Sequence, residues 1–287
     1  MWEIGNDESR LFKEIKNNYN TIIARDDILD IESAYVCLKG IIKNDEETCN
    51  EIIYREKEDT STYKEAFRHK KTSTYYQHIN LNTLNRLWQA SYSAYIMNEL
   101  INGKRDDGWQ AQQLGLYFLT FCSCSYGVIG LIDRECEICS GKKNSVKDEK
   151  GFLNLNNINK QIQNLSVIIQ RVEGNKSFRH LKIEQKDISL MRELDFYRNE
   201  GEHHFFPSST LFIIDNKWVI PKKPKRDDNK KSYAIPFEDI IVVGRDVAYR
   251  NNQDDFIVLR DWFVKIFELE VKLVKDAWIH LGSELKK

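Results

Sequence analysis

The four prolines of this chain, Pro207, Pro221, Pro224 and Pro236, all fall in one short window, and residues 1 to 206 contain none. Proline removes a backbone donor and clashes with the preceding turn, so it breaks helices. A proline-free run of that length predicts helix after helix, separated by Gly and Asn/Asp breaks. Apolar spacing agrees. Leu155, Ile158, Ile162, Leu165, Ile169 and Val172 recur at steps of three and four, the period of one helix face. Leu84, Trp88, Tyr92 and Tyr95 do the same on an earlier helix, and Leu259, Trp262, Phe263, Ile266, Leu269, Leu273 and Ala277 on the last one. The first seventy residues read as two or three shorter, polar helices, with Asp26 and Asp45 as caps.

Between Pro207 and about Arg250 the pattern changes. "STLFIIDNKWVIP" is two apolar, β-prone runs separated by Asp215, Asn216 and Lys217, a hairpin signal, and "EDIIVVGRDV" suits a third strand. The expected fold is therefore mainly α, a multi-helix bundle with a small β-hairpin insertion before the last helix. Residues 1–74 are expected to be N-terminal helices packing on the core. Residues 75–287 are expected to be the main bundle, with the β insertion at about 208–248, and the two parts can form one continuous domain.

One segment bears on where such a bundle resides. From Trp109 to Ile132 the chain carries no charge, which is long enough to cross a bilayer. Gln110, Gln112, Gln113, Thr120, Ser123 and Ser125 dilute it, and Gly115, Gly127 and Gly130 allow neighbours to approach closely. A helix buried all round in a bundle is the expectation, with no membrane partner. The opening "MWEIGNDESRLFKEIK" lacks a basic start followed by an apolar core, so no secretory leader is expected. The six cysteines then read as reduced thiols of a cytoplasmic protein. A net charge of -1 offers no global attraction for nucleic acid, so any RNA contact needs a local basic patch. The dense basic run is "KKPKRDDNKK", where Lys222, Lys223, Lys225 and Arg226 are the candidates to track a phosphate backbone.

The stretch that suggests chemistry is "FYRNEGEHHFFP", residues 196–207. Leu190, Leu194 and Tyr197 sit at helical spacing, so Arg198 belongs to a helix beginning near Asp187, which Gly201 and Pro207 then weaken and end. On an unbroken helix Arg198 lies over Glu202, and His203 is rotated away from it. An Arg198–Glu202 surface pair with histidines at a helix C-terminus is one reading of these residues.

The same residues resemble the Arg-Asn-x-x-x-His signature of HEPN-domain proteins, a superfamily of helical bundles that includes metal-independent endoribonucleases of toxin, anti-phage and CRISPR systems. Arg198, Asn199 and His203 match the three signature positions, and His204 fits a looser version with one more residue between. An arginine followed by histidine at this range arises by chance about once in such a chain, whereas the added Asn and fixed spacing lower that to roughly 0.03. The resemblance covers about 130 residues around the motif. It implies that Arg198 stabilises the phosphorane, Asn199 orients backbone or substrate, and His203 moves a proton to or from the reacting oxygens. Glu200 and Glu202 beside it favour the charged imidazole of a general acid, and Glu202 and His204 are candidate supporting residues. It also implies RNA as substrate, no cofactor, a homodimer whose two motifs face one cleft, and an antitoxin or regulatory protein as a further partner.

Other constellations point elsewhere less clearly. Cys122, Cys124, Cys136 and Cys139 lie within one span, but Cys122 and Cys124 on one helix cannot both face a single metal. Adjacent histidines on a helix point about 100° apart, so His203 and His204 are not expected to share an ion. No metal site is expected. No P-loop, GxSxG, HExxH or GxGxxG pattern occurs. Besides the nuclease, two alternatives remain: a non-catalytic helical module for RNA or protein with a structural Arg/His motif, and a membrane-attached version of either.

Overall fold

The structure is a computed structural model. It describes residues 6–23, 31–35, 73–103, 109–139, 165–174, 178, 181–203, 211–214, 216–221, 240–243, 246–249 and 256–285. The fold is mainly helical, with an antiparallel hairpin ahead of the last helix. Its helices are α1 (Asn6–Ile23), α2 (Ser73–Asn102), α3 (Trp109–Cys139), α4 (Leu165–Glu173), α5 (Gln185–His203) and α6 (Leu259–Leu285), with a further turn at 31–35. The suggested caps Asp26 and Asp45, the residues 155–164 that would begin α4's face, and the basic run at 222–226 lie outside the described residues.

α2 and α3 form a long helical hairpin that α1 and α6 cover. α6 buries every member of its expected stripe, from Leu259 and Trp262 to Leu273 and Ala277. Its first turn is bolted down by Arg260. The guanidinium donates from Nε to Asn98 Oδ1 on α2 (3.0 Å) and from Nη2 to the Ile22 carbonyl at the end of α1 (2.6 Å). That carbonyl is among those a helix terminus leaves without an internal partner. At the centre the Trp262 ring meets Tyr197 (5.0 Å between centroids, 82°) and Phe121 (6.0 Å, 76°) edge-on and Phe118 (5.6 Å, 50°) at a tilt, which joins α3, α5 and α6.

α2 departs from its expected face. Leu84, Leu87, Ala90, Ala94 and Met97 are buried, while the row of Trp88, Tyr92 and Tyr95 turns to the flank and Tyr92 is 42% exposed. The small Ala90 and Ala94 take inner positions, and Trp88 and Tyr95 pack against the edge of the core. α3 departs too. Its core side is closed, with Leu114, Phe118, Phe121, Cys122, Val128 and Ile129 buried. An uncharged strip still faces outward, with Trp109 64% and Leu116 59% exposed. α2 reaches α3 at Cys124 and α5 reaches it at Tyr126, which leaves the side between them uncovered. The helix is long and apolar enough to span a membrane, and 61% of its most apolar window is buried inside the bundle.

The insertion holds more strand than a single hairpin. β1 (Phe212–Ile214) and β2 (Lys217–Pro221) pair antiparallel, Ile214 opposite Lys217. Asn216 adopts φ 62° in the tight connection, a left-handed conformation that asparagine tolerates. β5 (Phe256–Val258) adds to the other side of β2, giving the order β1-β2-β5, and runs directly into α6. The "EDIIVVGRDV" run supplies two strands, β3 (Ile240–Val243) and β4 (Asp246–Tyr249), folded back on each other with Val243 opposite Asp246.

Candidate functional site

The motif sits on the last two turns of α5, and the helix is fixed at its other end. Asp187 Oδ2 accepts from the Glu184 backbone N–H (3.0 Å), closing the helix N-terminus as an acidic third residue does in a capping box. The same oxygen accepts from Lys272 Nζ on α6 (2.7 Å). Two turns on, Leu194 and Tyr197 are buried and Glu193 Oε2 accepts from the Trp262 indole N–H (3.0 Å). These contacts set the rotation of α5, and Arg198 and Asn199 follow from it.

Arg198 and Asn199 are half-buried. Arg198 Nη1 donates to Asn199 Oδ1 (2.9 Å), and Asn199 Nδ2 donates to Asp195 Oδ1 (3.2 Å) one turn back. The guanidinium carbon lies 4.7 Å from the centroid of the Tyr126 ring on α3, a cation–π contact. Tyr126 is itself held, because its hydroxyl oxygen accepts from the backbone N–H of Leu165, the first residue of α4 (2.8 Å). Carboxylate, amide, guanidinium and ring thus form one chain, which holds a planar fork of donors in a defined orientation. Such a fork recognises the paired oxygens of a phosphate. α5 continues through His203 as a backbone. The side chains of Glu200, Glu202 and His203, and all of His204, lie outside the described residues, as does any Arg198–Glu202 pair.

Two glutamates lie wholly buried in the core, and no motif of the sequence marks either. Glu135, fully buried on α3, accepts from Thr83 Oγ1 (2.5 Å) on α2 and from the Trp278 indole N–H (2.9 Å) on α6. Burial pushes its carboxyl up to about 7, against the downward pull of those two donors. Glu270, equally buried on α6, lies close enough to Ser125 for a slight downward pull, yet neither oxygen has a hydrogen-bond partner among the described residues. Burial pushes it up to about 8. The signal for Glu270 was present, since the stripe from Ile266 to Leu273 puts position 270 on the buried side. Cys122 faces the Glu270 region, whereas Cys124 faces Arg86 and Gln89 on α2, so these thiols diverge as the helical geometry requires. Among the described residues no group of three His, Cys, Asp or Glu side chains comes together to hold a metal.

Arg86 and Tyr92 line a groove between α2 and α3 of about 580 Å³; the sequence marked Tyr92 only as part of a helix face, and nothing in it singled out Arg86. Compared with family models, with curated proteins and with solved structures, the chain matches none.

Proposed function

We propose that this chain is a metal-independent endoribonuclease of the HEPN type, acting on RNA as a cytoplasmic dimer in a defence or toxin role. The observation that carries the reading is the Asp195–Asn199–Arg198 chain on a helix that runs unbroken to His203. In the reaction, the ribose 2′-oxygen bonds to the adjacent phosphorus and the bond from phosphorus to the 5′-oxygen breaks. The 2′-hydroxyl proton passes to water, and His203 protonates the departing 5′-oxygen. The products are a 2′,3′-cyclic phosphate and a 5′-hydroxyl end. Arg198 holds the extra negative charge that builds on the phosphorane oxygens. Asn199 keeps the guanidinium turned, and two copies of α5 facing one groove bring a second motif to the same phosphate. An antitoxin or regulatory protein would occupy that groove in the resting state.

The contact of Arg198 with Tyr126 favours a second reading, in which the motif ties α5 to α3 and the bundle binds RNA or protein without cleaving it. Incubating purified protein with single-stranded RNA in EDTA decides between them. Cyclic-phosphate products from the wild type, lost in both Arg198→Ala and His203→Ala at unchanged melting temperature, are expected. Intact RNA with wild-type protein, or cleavage that survives both substitutions, overturns the nuclease.

A further inference from the structure

The groove between α2 and α3 opens on the uncharged outward strip of α3. Arg86, Gln89 and Tyr92 line it from α2, and Tyr117, Thr120 and Ser123 from α3. Arg86 is the one charged residue among its lining side chains. Its Nη1 donates to Gln89 Oε1 (3.3 Å) and lies 3.9 Å from Cys124 Sγ, and among the described residues no carboxylate pairs with it. The positive charge is held in place by neutral groups.

Tyr92 offers the groove an aromatic face. Its ring lies near-parallel to Trp88 (25°, 6.0 Å between centroids), and Trp88 is fixed in turn by donating from Nε1 to Glu14 Oε2 (2.9 Å). Glu14 also accepts from Arg10 (3.2 Å), so this carboxylate is engaged behind the ring and does not line the groove. A backed aromatic platform beside a guanidinium that no described carboxylate pairs with is the pairing that single-stranded nucleic acid uses, base on ring and phosphate on cation. An apolar peptide helix would have no use for the cation.

The position of Arg86 links the groove to α5. Its stem runs along Gly127, where a Cβ would lie 3.5 Å from Arg86 Cδ. Arg198 lies over Tyr126, the preceding residue. Two guanidinium groups therefore rest on consecutive residues of α3, about 100° apart around its axis. The strip between them carries no charge to repel a phosphate backbone.

We propose that the α2/α3 groove holds single-stranded RNA beside the Arg198 phosphate, with a base stacked on Tyr92 and a neighbouring phosphate on Arg86. Which nucleotide sits there rests on the nuclease reading, whereas binding itself does not. The test is fluorescence anisotropy of a labelled, uncleavable 2′-O-methyl single-stranded oligonucleotide against the full chain, with melting temperatures recorded for every variant. Tyr92→Ala is expected to weaken binding about 5- to 100-fold, the loss of one stacked base. Arg86→Gln is expected to weaken it and to lower the salt slope by about 0.7 to 1, the signature of one phosphate contact. Arg192→Gln, a charge change on the exposed side of α5, is expected to leave affinity within about twofold, since few phosphates reach it. Wild-type affinity in both groove variants, or no binding by a wild type that still cleaves RNA, overturns the groove. Binding that depends on Tyr92 and Arg86 in a protein that never cleaves upholds the groove and removes the nuclease.

Discussion

The start of α6 and the end of α5 both carry an arginine, and they use it differently. Arg260 reaches Asn98 on α2 and the Ile22 carbonyl of α1, so one side chain closes three helices. Arg198 bonds to the next residue of its own helix and leans on the Tyr126 ring. The first arrangement satisfies two oxygens on buried residues of separate helices. The second turns the guanidinium by an amide of its own helix and sets it against one ring of α3. Arg260 joins helices by hydrogen bonds to buried oxygens, whereas Arg198 meets a second helix only through a half-buried ring contact, the arrangement that the proposed site would use. That contrast can be broken by measurement.

The largest effect is expected at the core. Trp262→Ala removes the ring that joins Phe118, Phe121 and Tyr197 and takes the indole donor from Glu193, and should cost about 3–5 kcal/mol in urea unfolding. A loss below about 1 kcal/mol would remove the core side of the comparison.

Next in size is a pH effect confined to the core. Burial raises the Glu270 carboxyl to about 8 and the Glu135 carboxyl to about 7, from an ordinary 4.5. The folded state then keeps protons that the unfolded chain has released between 4.5 and those values. The stability these groups contribute is full below about 4.5 and is lost as pH rises through about 7 and about 8. Glu270→Gln keeps the shape without the charge, so its advantage over wild type should grow with pH to on the order of 2–4 kcal/mol near pH 9. Denaturant midpoints that stay parallel for the two proteins from about pH 5 to 9 would show that this carboxyl is not carrying a burial cost.

Arg260→Ala should follow, at about 1.5–3 kcal/mol, because it strands the Ile22 carbonyl and the Asn98 amide oxygen together. Asn98→Ala alone should cost less, about 1 kcal/mol, since the guanidinium keeps its carbonyl.

The sequence made one of these regions far more legible than the other. α6 could be read because its large apolar residues recur at helical spacing and all face one way. The β1–β2 hairpin could be read because Asp215 and Asn216 are turn residues between β-prone runs. On α2 the same rule found the helix and Leu84, but it counts large rings as core, whereas Ala90 and Ala94 are buried, Trp88 and Tyr95 only edge the core and Tyr92 is exposed. The motif's first two residues were legible as a pattern, but the partner that holds Arg198 was not. Tyr126 sits in a run that periodicity reads only as apolar helix, and nothing local ties it to residue 198. The Arg86–Gly127 contact was hidden for the same reason, because contacts between distant segments leave no mark on spacing.

The smallest expected change in stability, and the sharpest test of the contrast, is at Arg198. Its contact with Tyr126 is worth about 0.5–1 kcal/mol where partly exposed, and its bond to Asn199 leaves an amide that still reaches Asp195. Arg198→Ala should therefore lower stability by no more than about 1 kcal/mol while abolishing RNA cleavage. Arg198→Lys keeps the charge and loses the planar fork, so it should restore stability but little of the cleavage. Tyr126→Leu should keep the fold and lower cleavage partially, because the fork would remain but swing. A loss of several kcal/mol in Arg198→Ala would place this arginine with Arg260, as a residue that closes helices. Full cleavage by Arg198→Lys would mean that charge alone suffices there, and that the chain from Asp195 to Tyr126 holds the side chain for no chemical purpose.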